Sequence, residues 1–185
     1  MGRKPEVYIE LPNDRIGVLL TKGKMAIIDS CDLPLIEGRR WQTKTGCTGK
    51  TFYANATIII DGKRQCIGMH ALILPKKDGF VTDHIDGDGL NNTRANLRYA
   101  TRFQNAHNCK APEVRLRRSQ YKGVSFSSWP EERKKKWRAT ITANGKRVDF
   151  GYYHTDVEAA KAYDAAAIKY HGEFASLNFP GECHE

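Results

Sequence analysis

The sequence lacks the features of an exported or membrane-embedded chain. Its 185 residues contain no apolar window of about 18 residues. The first residues, M-G-R-K-P-E, are charged, and no apolar run follows them. Met1-Gly2 does not make a myristoylation signal, because the sixth residue is Glu6 rather than Ser or Thr. We therefore expect a soluble protein that stays in the cytoplasm.

Cysteine is scarce, and its spacing is not that of a cross-linked or zinc-bound protein. The five cysteines are odd in number and widely separated, and the sequence has no C-x-x-C pair. This disfavours a disulfide framework and a structural zinc site, and it fits a reducing compartment. We predict free thiols at all five positions, which are Cys31, Cys47, Cys66, Cys109 and Cys183.

Acidic residues are too few to balance the basic ones. The formal net charge is +9, and the isoelectric point is near 9.4. Residues 101–151 hold 13 basic and 4 acidic residues, so this segment carries the whole excess. Such a charge says nothing about fold, but it favours an anionic partner, and nucleic acid is the leading candidate.

The first third of the chain favours short strands. Residues 7–30 contain apolar runs rich in Val and Ile, broken by Asn13-Asp14 and Gly23. Further on, T-F-Y-A-N-A-T-I-I-I and K-R-Q-C-I-G-M-H flank Asp61-Gly62, a strong hairpin signal. The segment from Met69 to Leu74 predicts a short helix. Residues 1–68 are therefore predicted to be a β-rich region that leads into the next segment.

The most informative stretch runs from Val81 to Asn108 and predicts a strand, a loop, a strand and a helix. An Asp-His pair ends the first apolar run, and a Gly- and Asn-rich turn and N-L-R-Y-A follow. The residue types at Asp83, His84, Asn96 and Asn105 suit one hydrated divalent cation beside one neutral imidazole. The alternative without a function is that D-G-D-G is an ordinary turn and that the His and Asn residues only satisfy backbone groups. An EF-hand loop is excluded because its terminal Glu is missing.

D-H-I-D-G-D-G-L-N-N followed by N-L-R-Y-A-T resembles the H-N-H motif of ββα-metal nucleases, in the variant of phage and intron-encoded homing endonucleases. The resemblance implies that His84 is the general base and that Asn96 orients its imidazole. It also implies a divalent metal, Mg²⁺ or Mn²⁺, on Asp83 and Asn105. His107 is a reserve candidate for the last position. The preceding M-H-A-L-I-L-P resembles a segment of the same nucleases, in which His70 is expected to be mainly structural.

The last third predicts a hairpin followed by a helix. Asn144-Gly145 is the preferred pair for a two-residue turn. Such a turn would pair Ala143 with Lys146, Ile141 with Val148, Ala139 with Phe150 and Trp137 with Tyr152. In the helix, Thr155 and Glu158 form a capping box and Gly172 supplies the end. One helical face would hold the following residues: Val157, Ala160, Tyr163, Ala167 and Tyr170. A three-stranded sheet covered by one helix is the expected result.

Y-K-G-V, W-R-A-T-I, F-G-Y-Y-H-T-D-V-E-A-A-K-A-Y-D-A-A-A and L-N-F-P resemble the Apetala2/ethylene-response-factor DNA-binding domain over residues 121–180. The resemblance implies that the polar face of the sheet enters the major groove. It does not carry over the target sequence of the plant factors, because most of their guanine readers are replaced. The candidate DNA-binding residues are Lys122, Trp129, Arg138, Thr140, Thr142 and Arg147, with Arg115, Arg117 and Arg118 of the preceding segment as phosphate contacts.

Together these features predict an α+β chain: a β-rich lead-in at residues 1–68, a ββα-metal H-N-H region at 69–108, a basic linker at 109–120, and a three-stranded antiparallel sheet packed on one helix at 121–180. The expected function is metal-dependent cleavage of double-stranded DNA by a homing-type endonuclease in a bacterial or phage-infected cytoplasm, with a monomer as the default. A non-catalytic DNA-binding regulator is the alternative. RNA binding or cutting is a third, without a clear aromatic stacking strand to support it.

Overall fold

The computed structural model of the protein describes residues 7–46, 51–108, 119–128, 134–143 and 145–181. These residues form several small antiparallel sheets and a few helices, and the chain divides into two compact units, Met1–Arg102 and Phe103–Glu185. Within the described ranges, no helix has both the length and the apolar character needed to cross a membrane. Of the cysteines that fall in these ranges, Cys31 and Cys66 are exposed free thiols, as predicted. The other three lie outside them.

The first unit begins with a three-stranded meander. Strands β1 (Tyr8–Leu11), β2 (Arg15–Leu19) and β3 (Met25–Asp29) pair in that order, each antiparallel to the next. Asn13 and Asp14, in the turn between β1 and β2, both have positive φ, which Asn and Asp tolerate better than most residues. The predicted short strands are confirmed.

A second three-stranded sheet follows a short helix, α1 (Leu33–Ile36). It contains β4 (Gln42–Thr45), β5 (Phe52–Ile60) and β6 (Lys63–Gly68), in the order β4-β5-β6. Asp61 and Gly62 join β5 to β6, and both adopt the positive φ of a tight hairpin turn. Helix α2 (Met69–Ile73) follows directly. The hairpin and the short helix are therefore confirmed.

The motif region has the predicted order of elements. Strand β7 (Val81–His84) pairs antiparallel with β8 (Leu97–Ala100), and helix α3 (Arg102–His107) follows. Across the pair, Asp83 lies opposite Arg98 and His84 opposite Leu97. The boundary between the two compact units falls within α3, after Arg102.

One hydrophobic core joins the early sheets to the β7–β8 hairpin. Ile28 of β3, Ala54 of β5 and Met69 of α2 are buried in the same cluster as Leu90 and Leu97. Burying aliphatic side chains from all these elements together removes apolar surface from water that the small β7–β8 hairpin could not cover alone. The predicted lead-in therefore shares its core with the residues around the motif.

The second unit contains the predicted three-stranded sheet and helix. Strands β9 (Val124–Phe126), β10 (Trp137–Ala143) and β11 (Lys146–Tyr153) form a sheet of order β11-β10-β9. Helix α4 (Asp156–His171) has the predicted capping box of Thr155 and Glu158 and ends at Gly172. The core between sheet and helix includes buried alanines of both and the largely buried ring of Tyr163.

The register of the β10–β11 hairpin differs from the prediction in its outer half. The inner pairs are as expected, with Ala143 opposite Lys146 and Ile141 opposite Val148. Beyond Thr140 the register shifts by one residue, so that Trp137 lies opposite Tyr153 rather than Tyr152. Gly151 adopts a φ of +93° there and donates its N–H to Asp149 Oδ1 at 2.9 Å. The shift is a bulge, which simple alternation does not anticipate.

The buried face of α4 agrees with the prediction at its centre and differs at its ends. Ala160, Tyr163 and Ala167 are buried as predicted, whereas Val157 and Tyr170 are 39% and 42% exposed. The buried residues also include Ala159, Ala166 and Asp164, which is fully buried. Small alanines allow the helix to approach the sheet closely.

Candidate nuclease site and DNA-binding face

The imidazole of His84 lies at the end of β7 and is only 7% exposed. Its Nε2 lies 3.3 Å from Oδ1 of Asn92, whose Nδ2 donates to the Leu90 carbonyl oxygen at 3.0 Å. That second bond directs the amide nitrogen of Asn92 away from the ring and the amide oxygen towards it. Nε2 is therefore the nitrogen that carries the hydrogen, and Nδ1 holds the lone pair that can accept a proton.

Asn92 is itself fixed by the first sheet of the protein. Its backbone N–H donates to the Ile27 carbonyl oxygen at 2.7 Å, and the Ile27 N–H donates to the Leu90 carbonyl oxygen at 2.9 Å. These bonds make a parallel bridge between β3 and the loop after His84, and Asn92 is fully buried. Sequence reasoning missed this residue. The only signal was the pair Asn91-Asn92 inside the motif, which we interpreted as part of a turn.

Burial changes the proton affinity of His84. Desolvation is the largest influence and lowers the pKa of the imidazole below its usual value of 6.5, although the hydrogen bond with Asn92 and the carboxylates of Asp86, Asp83 and Asp88 act in the opposite direction. The ring is therefore neutral at pH 7. A neutral imidazole is what a general base requires.

Asn96 holds the loop that follows His84. Its Oδ1 accepts the Asp86 N–H at 3.1 Å, and its Nδ2 donates to Asp86 Oδ1 at 2.9 Å and to the Asn91 carbonyl oxygen at 2.8 Å. Its own carbonyl oxygen accepts the N–H of Ile85. The predicted orienting role of Asn96 stays a prediction, and these contacts favour an indirect form of it through the loop.

The two carboxylates of D-G-D-G serve the turn. Asp86 accepts hydrogen bonds from the Asp88 N–H, from Asn91 and from Asn96. Desolvation acts to raise the pKa of Asp86, but these hydrogen bonds outweigh it and lower the pKa below its usual value. Asp88 Oδ1 accepts the Leu90 N–H at 3.0 Å. Hydrogen bonds of this local kind are typical of Asx turns.

Asp83 has the chemistry of a metal ligand but is already ion-paired. The residue is 4% exposed, and its Oδ2 lies 2.9 Å from Nε of Arg98, its cross-strand partner. A carboxylate has about four acceptor positions, so it can bind a cation while it keeps this partner. In the parts of the chain that the structure describes, no three His, Cys, Asp or Glu side chains form a metal cluster. The predicted donor set of one carboxylate and one amide oxygen fits a hard, largely hydrated cation.

Asn105 and His107 lie on α3, in the part that belongs to the second unit. The ring of His107 stacks on that of His171 at the end of α4, with centroids 3.7 Å apart and planes 12° apart. Lys122 Nζ donates to the His107 carbonyl oxygen at 2.6 Å. The metal-ligating role of Asn105 remains a prediction from the resemblance, and His107 has a packing role within its own unit.

The polar face of the second unit carries part of the predicted DNA-binding set. Arg138 is ion-paired with Asp149, with Nη2 lying 2.6 Å from Oδ2. Arg147 is exposed and donates to Thr140 Oγ1 at 3.1 Å. Thr140 is buried and Thr142 is exposed. The Lys122 ammonium is engaged by the backbone of α3. The other predicted DNA contacts lie outside the described residues; these are Arg115, Arg117, Arg118 and Trp129.

A buried hydrogen-bond network joins the two ends of the module that resembles the plant factors. Both carboxylate oxygens of Asp164 accept from the Asn178 N–H, at 2.9 and 3.0 Å, and one accepts the Phe179 N–H at 2.8 Å. Asn178 Oδ1 accepts the Lys122 N–H at 2.7 Å. The carboxylate of α4 thus ties L-N-F-P to Y-K-G-V. Sequence reasoning did not identify Asp164, because an Asp inside an Ala-rich helix looks like an exposed position.

Comparison with known proteins agrees with both halves of the chain. Residues 74–107 match the family HNH endonuclease. Protein 3.8 of Escherichia phage T7 is 41% identical over 76 residues, which is 41% of this chain and 58% of that protein. An ethylene-responsive transcription factor of Arabidopsis thaliana is 35% identical over 85 residues, which is 43% of this chain and 20% of the plant protein. No solved structure matches.

One relative is similar over nearly the whole chain. An HNH endonuclease of Acanthamoeba polyphaga mimivirus is 30% identical over 160 residues, which is 85% of this chain and 76% of the viral protein. The matched family residues include both β7 and β8 and the imidazole held by Asn92. With this overall similarity and the match at the motif, the chain belongs to the HNH endonuclease family.

Proposed function

We propose that this protein is a metal-dependent DNA endonuclease of the homing type, which hydrolyses phosphodiester bonds with His84 as the general base. One observation carries the proposal: the neutral, buried imidazole of His84, whose Nε2–H is held by Asn92 so that Nδ1 is the proton acceptor. Membership of the HNH endonuclease family supports the same reaction class.

The residues of the chain then have separate tasks. His84 Nδ1 takes a proton from the attacking water, and the imidazolium that forms is stabilised because Nε2–H keeps its bond to the Asn92 oxygen. Asn96 and Asp86 hold the loop after the base, so the ring does not move as its charge changes. Desolvation keeps the base unprotonated in the free enzyme at neutral pH.

Asp83 and Asn105 are the proposed ligands of the metal, with Mg²⁺ or Mn²⁺ as the expected ion. A divalent cation bound there would supply charge stabilisation for the phosphorane and the leaving 3′ oxygen. Arg98, paired with Asp83, holds that carboxylate in a single orientation. A guanidinium at this position also prevents the carboxylate from being left alone in a buried site when no cation is bound.

The second unit is proposed to hold double-stranded DNA. Part of the chain is similar in sequence to a plant transcription factor, and the whole net positive charge of the chain falls in residues 101–151. Arg138 and Arg147 are the cations of the described polar face, and Asp149 neutralises the first of them. We expect the remaining affinity to come from phosphate contacts, so binding should weaken steeply as salt rises.

A plasmid-cleavage assay tests the enzyme proposal directly. Purified protein should convert supercoiled plasmid to nicked or linear product with Mg²⁺ or Mn²⁺, and EDTA should stop the reaction, because it removes the cation that would stabilise the leaving oxygen. A gel-shift assay on the same DNA in EDTA gives the matched control for binding. Binding without cleavage under every metal condition would instead identify a non-catalytic DNA-binding regulator.

The pH dependence of kcat/KM, which reports pKa values of the free enzyme, is a second expected result. His84 acts as a base only when it is unprotonated, so kcat/KM should be constant above its pKa and fall as pH decreases through that pKa. Because desolvation lowers the pKa of His84 below 6.5, the acid limb should have its midpoint below pH 6.5. Single-turnover rates at subsaturating enzyme concentrations, between about pH 4.5 and 8, would measure it. A midpoint above 6.5 would contradict the proposed environment of the base.

A further inference from the structure

The His84 imidazole packs against two rings that come from earlier in the chain. His70, on α2, lies 5.4 Å from it between centroids, with the planes at 82°, and Tyr53, on β5, lies 5.9 Å away at 59°. Tyr53 and His70 also contact each other, with centroids 6.1 Å apart. Both residues precede the segment that matches the family, which begins at residue 74. Nothing in the motif itself accounts for them.

The loop that carries Asn92 is pressed against the same strand as Tyr53. A Cβ on Gly89 would lie 2.5 Å from the Phe52 carbonyl oxygen and 2.5 Å from the Tyr53 ring. Only glycine permits this approach between the loop and β5. Tyr53 therefore has a fixed position relative to Asn92, and the two groups contact the imidazole from different elements.

His70 contributes the surface of its ring to this contact. Its Nδ1 is buried and has no hydrogen-bond partner among the described residues. Burial, followed by the neighbouring His84, lowers the pKa of His70 to about 4, so the two rings meet as neutral groups at pH 7. Edge-to-face packing of such rings is favourable and depends on their relative orientation.

The plane of the His84 imidazole is restricted by its aromatic neighbours. The contact between Nε2 and Asn92 holds one nitrogen of the ring. Tyr53 and His70, on different elements, restrict tilting of the ring about that contact. The direction of the Nδ1 lone pair then becomes fixed, and a general base needs that alignment with the attacking water.

We propose that Tyr53 and His70 are positioning residues for phosphodiester hydrolysis: their rings form a seat that sets the plane of the His84 imidazole. The proposal rests on the function proposed above. It assigns a catalytic purpose to β5 of the β-rich N-terminal region and to α2, which together provide the seat. In this arrangement neither residue exchanges a proton with the substrate, and their effect on the rate passes entirely through His84.

The experiment compares variants that remove a ring with variants that keep it. His70→Ala should lower kcat by about 10- to 100-fold with little change in KM for the duplex, whereas His70→Phe should restore most of the rate because it keeps the ring. Tyr53→Leu and Tyr53→Phe form the same pair for the second ring. Ile59→Ala, at a 72% exposed position of the same strand, is the control expected to behave like the unchanged protein.

A measurement without turnover separates this inference from the proposed function. Relaxation of the ¹³C–¹H signals of the His84 ring reports its motion, and the unchanged protein should show a rigid ring. His70→Ala should give additional ring motion, and His70→Phe should not. If the unchanged protein cleaves no DNA, the proposed function fails, and the comparison of ring motion still tests the seat.

Three results would overturn the proposal. They are a kcat for His70→Ala equal to that of the unchanged protein, an equal loss of rate in His70→Phe and His70→Ala, and an equally rigid His84 ring in every variant. If His70→Ala does not fold, as judged by thermal unfolding, the Tyr53 pair and the spectrum of His70→Phe decide the matter by the same criteria.

Discussion

Replacing His84 with Ala should lower the rate of DNA cleavage by about 10² to 10⁴-fold, the range that general-base catalysis contributes. The variant keeps Asn92 and its backbone bonds to Ile27, so the loop and the rest of the first unit should remain folded. Duplex binding should be unchanged, because the proposed binding face lies in the second unit. Single-turnover cleavage and a gel-shift titration on the same DNA would measure both quantities.

His154→Ala is the matched control for this variant. His154 is an exposed histidine of the second unit whose backbone N–H, rather than its ring, bonds to Glu158. The control removes one imidazole from the protein without touching the proposed site, so cleavage should continue at the original rate. Undiminished cleavage by His84→Ala would show that another group is the base, and the mechanism proposed here would then be wrong.

Replacing Gly123 with Ala should unfold the second unit or destabilise it by about 3 to 5 kcal/mol. Gly123 has a φ of +75°, and a Cβ there would overlap the Tyr163 ring and lie 2.8 Å from the Thr140 carbonyl oxygen. Tyr163 is 3% exposed and packs in the core between sheet and helix, so a displacement of its ring would disrupt that packing. Thermal or urea unfolding would measure the loss, and DNA binding should be lost with it.

Gly145→Ala separates backbone strain from the overlap. Gly145 has nearly the same φ, +74°, but a Cβ there would meet nothing within 4 Å. The variant should therefore be destabilised only by the conformational cost of an alanine with positive φ, about 1 to 2 kcal/mol. Its binding of DNA should be unchanged. Equal destabilisation by the two variants would mean that Gly123 is required for its φ alone and that the Tyr163 contact is unimportant.

Local sequence patterns were sufficient to predict most of the secondary structure. The Asp61-Gly62 hairpin, the capping box of Thr155 and the strand–loop–strand–helix order around His84 are all present in the structure. Each depends on residues a few positions apart, whose turn chemistry and periodicity act within one element. The register of the outer β10–β11 hairpin could not be predicted, because the bulge at Gly151 breaks the alternation of the strand.

The surroundings of His84 depended instead on residues that are distant in the chain. The sequence was sufficient to recognise the motif, the resemblance to a nuclease family and His84 as the candidate base. Asn92 acquires its position from backbone bonds to Ile27, and the ring contacts come from Tyr53 and His70. No helical or strand periodicity relates residue 27 to residue 92, or residue 53 to residue 84.

The sequence by itself therefore determined the elements, the chemistry of the candidate base and the family. Only the tertiary structure decided which amide faces the imidazole and which rings pack against it. It also decided that the Asp164 carboxylate binds the backbone near the end of the second unit. The physical reason is that secondary structure follows from nearby backbone and side-chain preferences. The environment of a buried polar group, in contrast, is set by long-range packing and by the need to satisfy its hydrogen bonds.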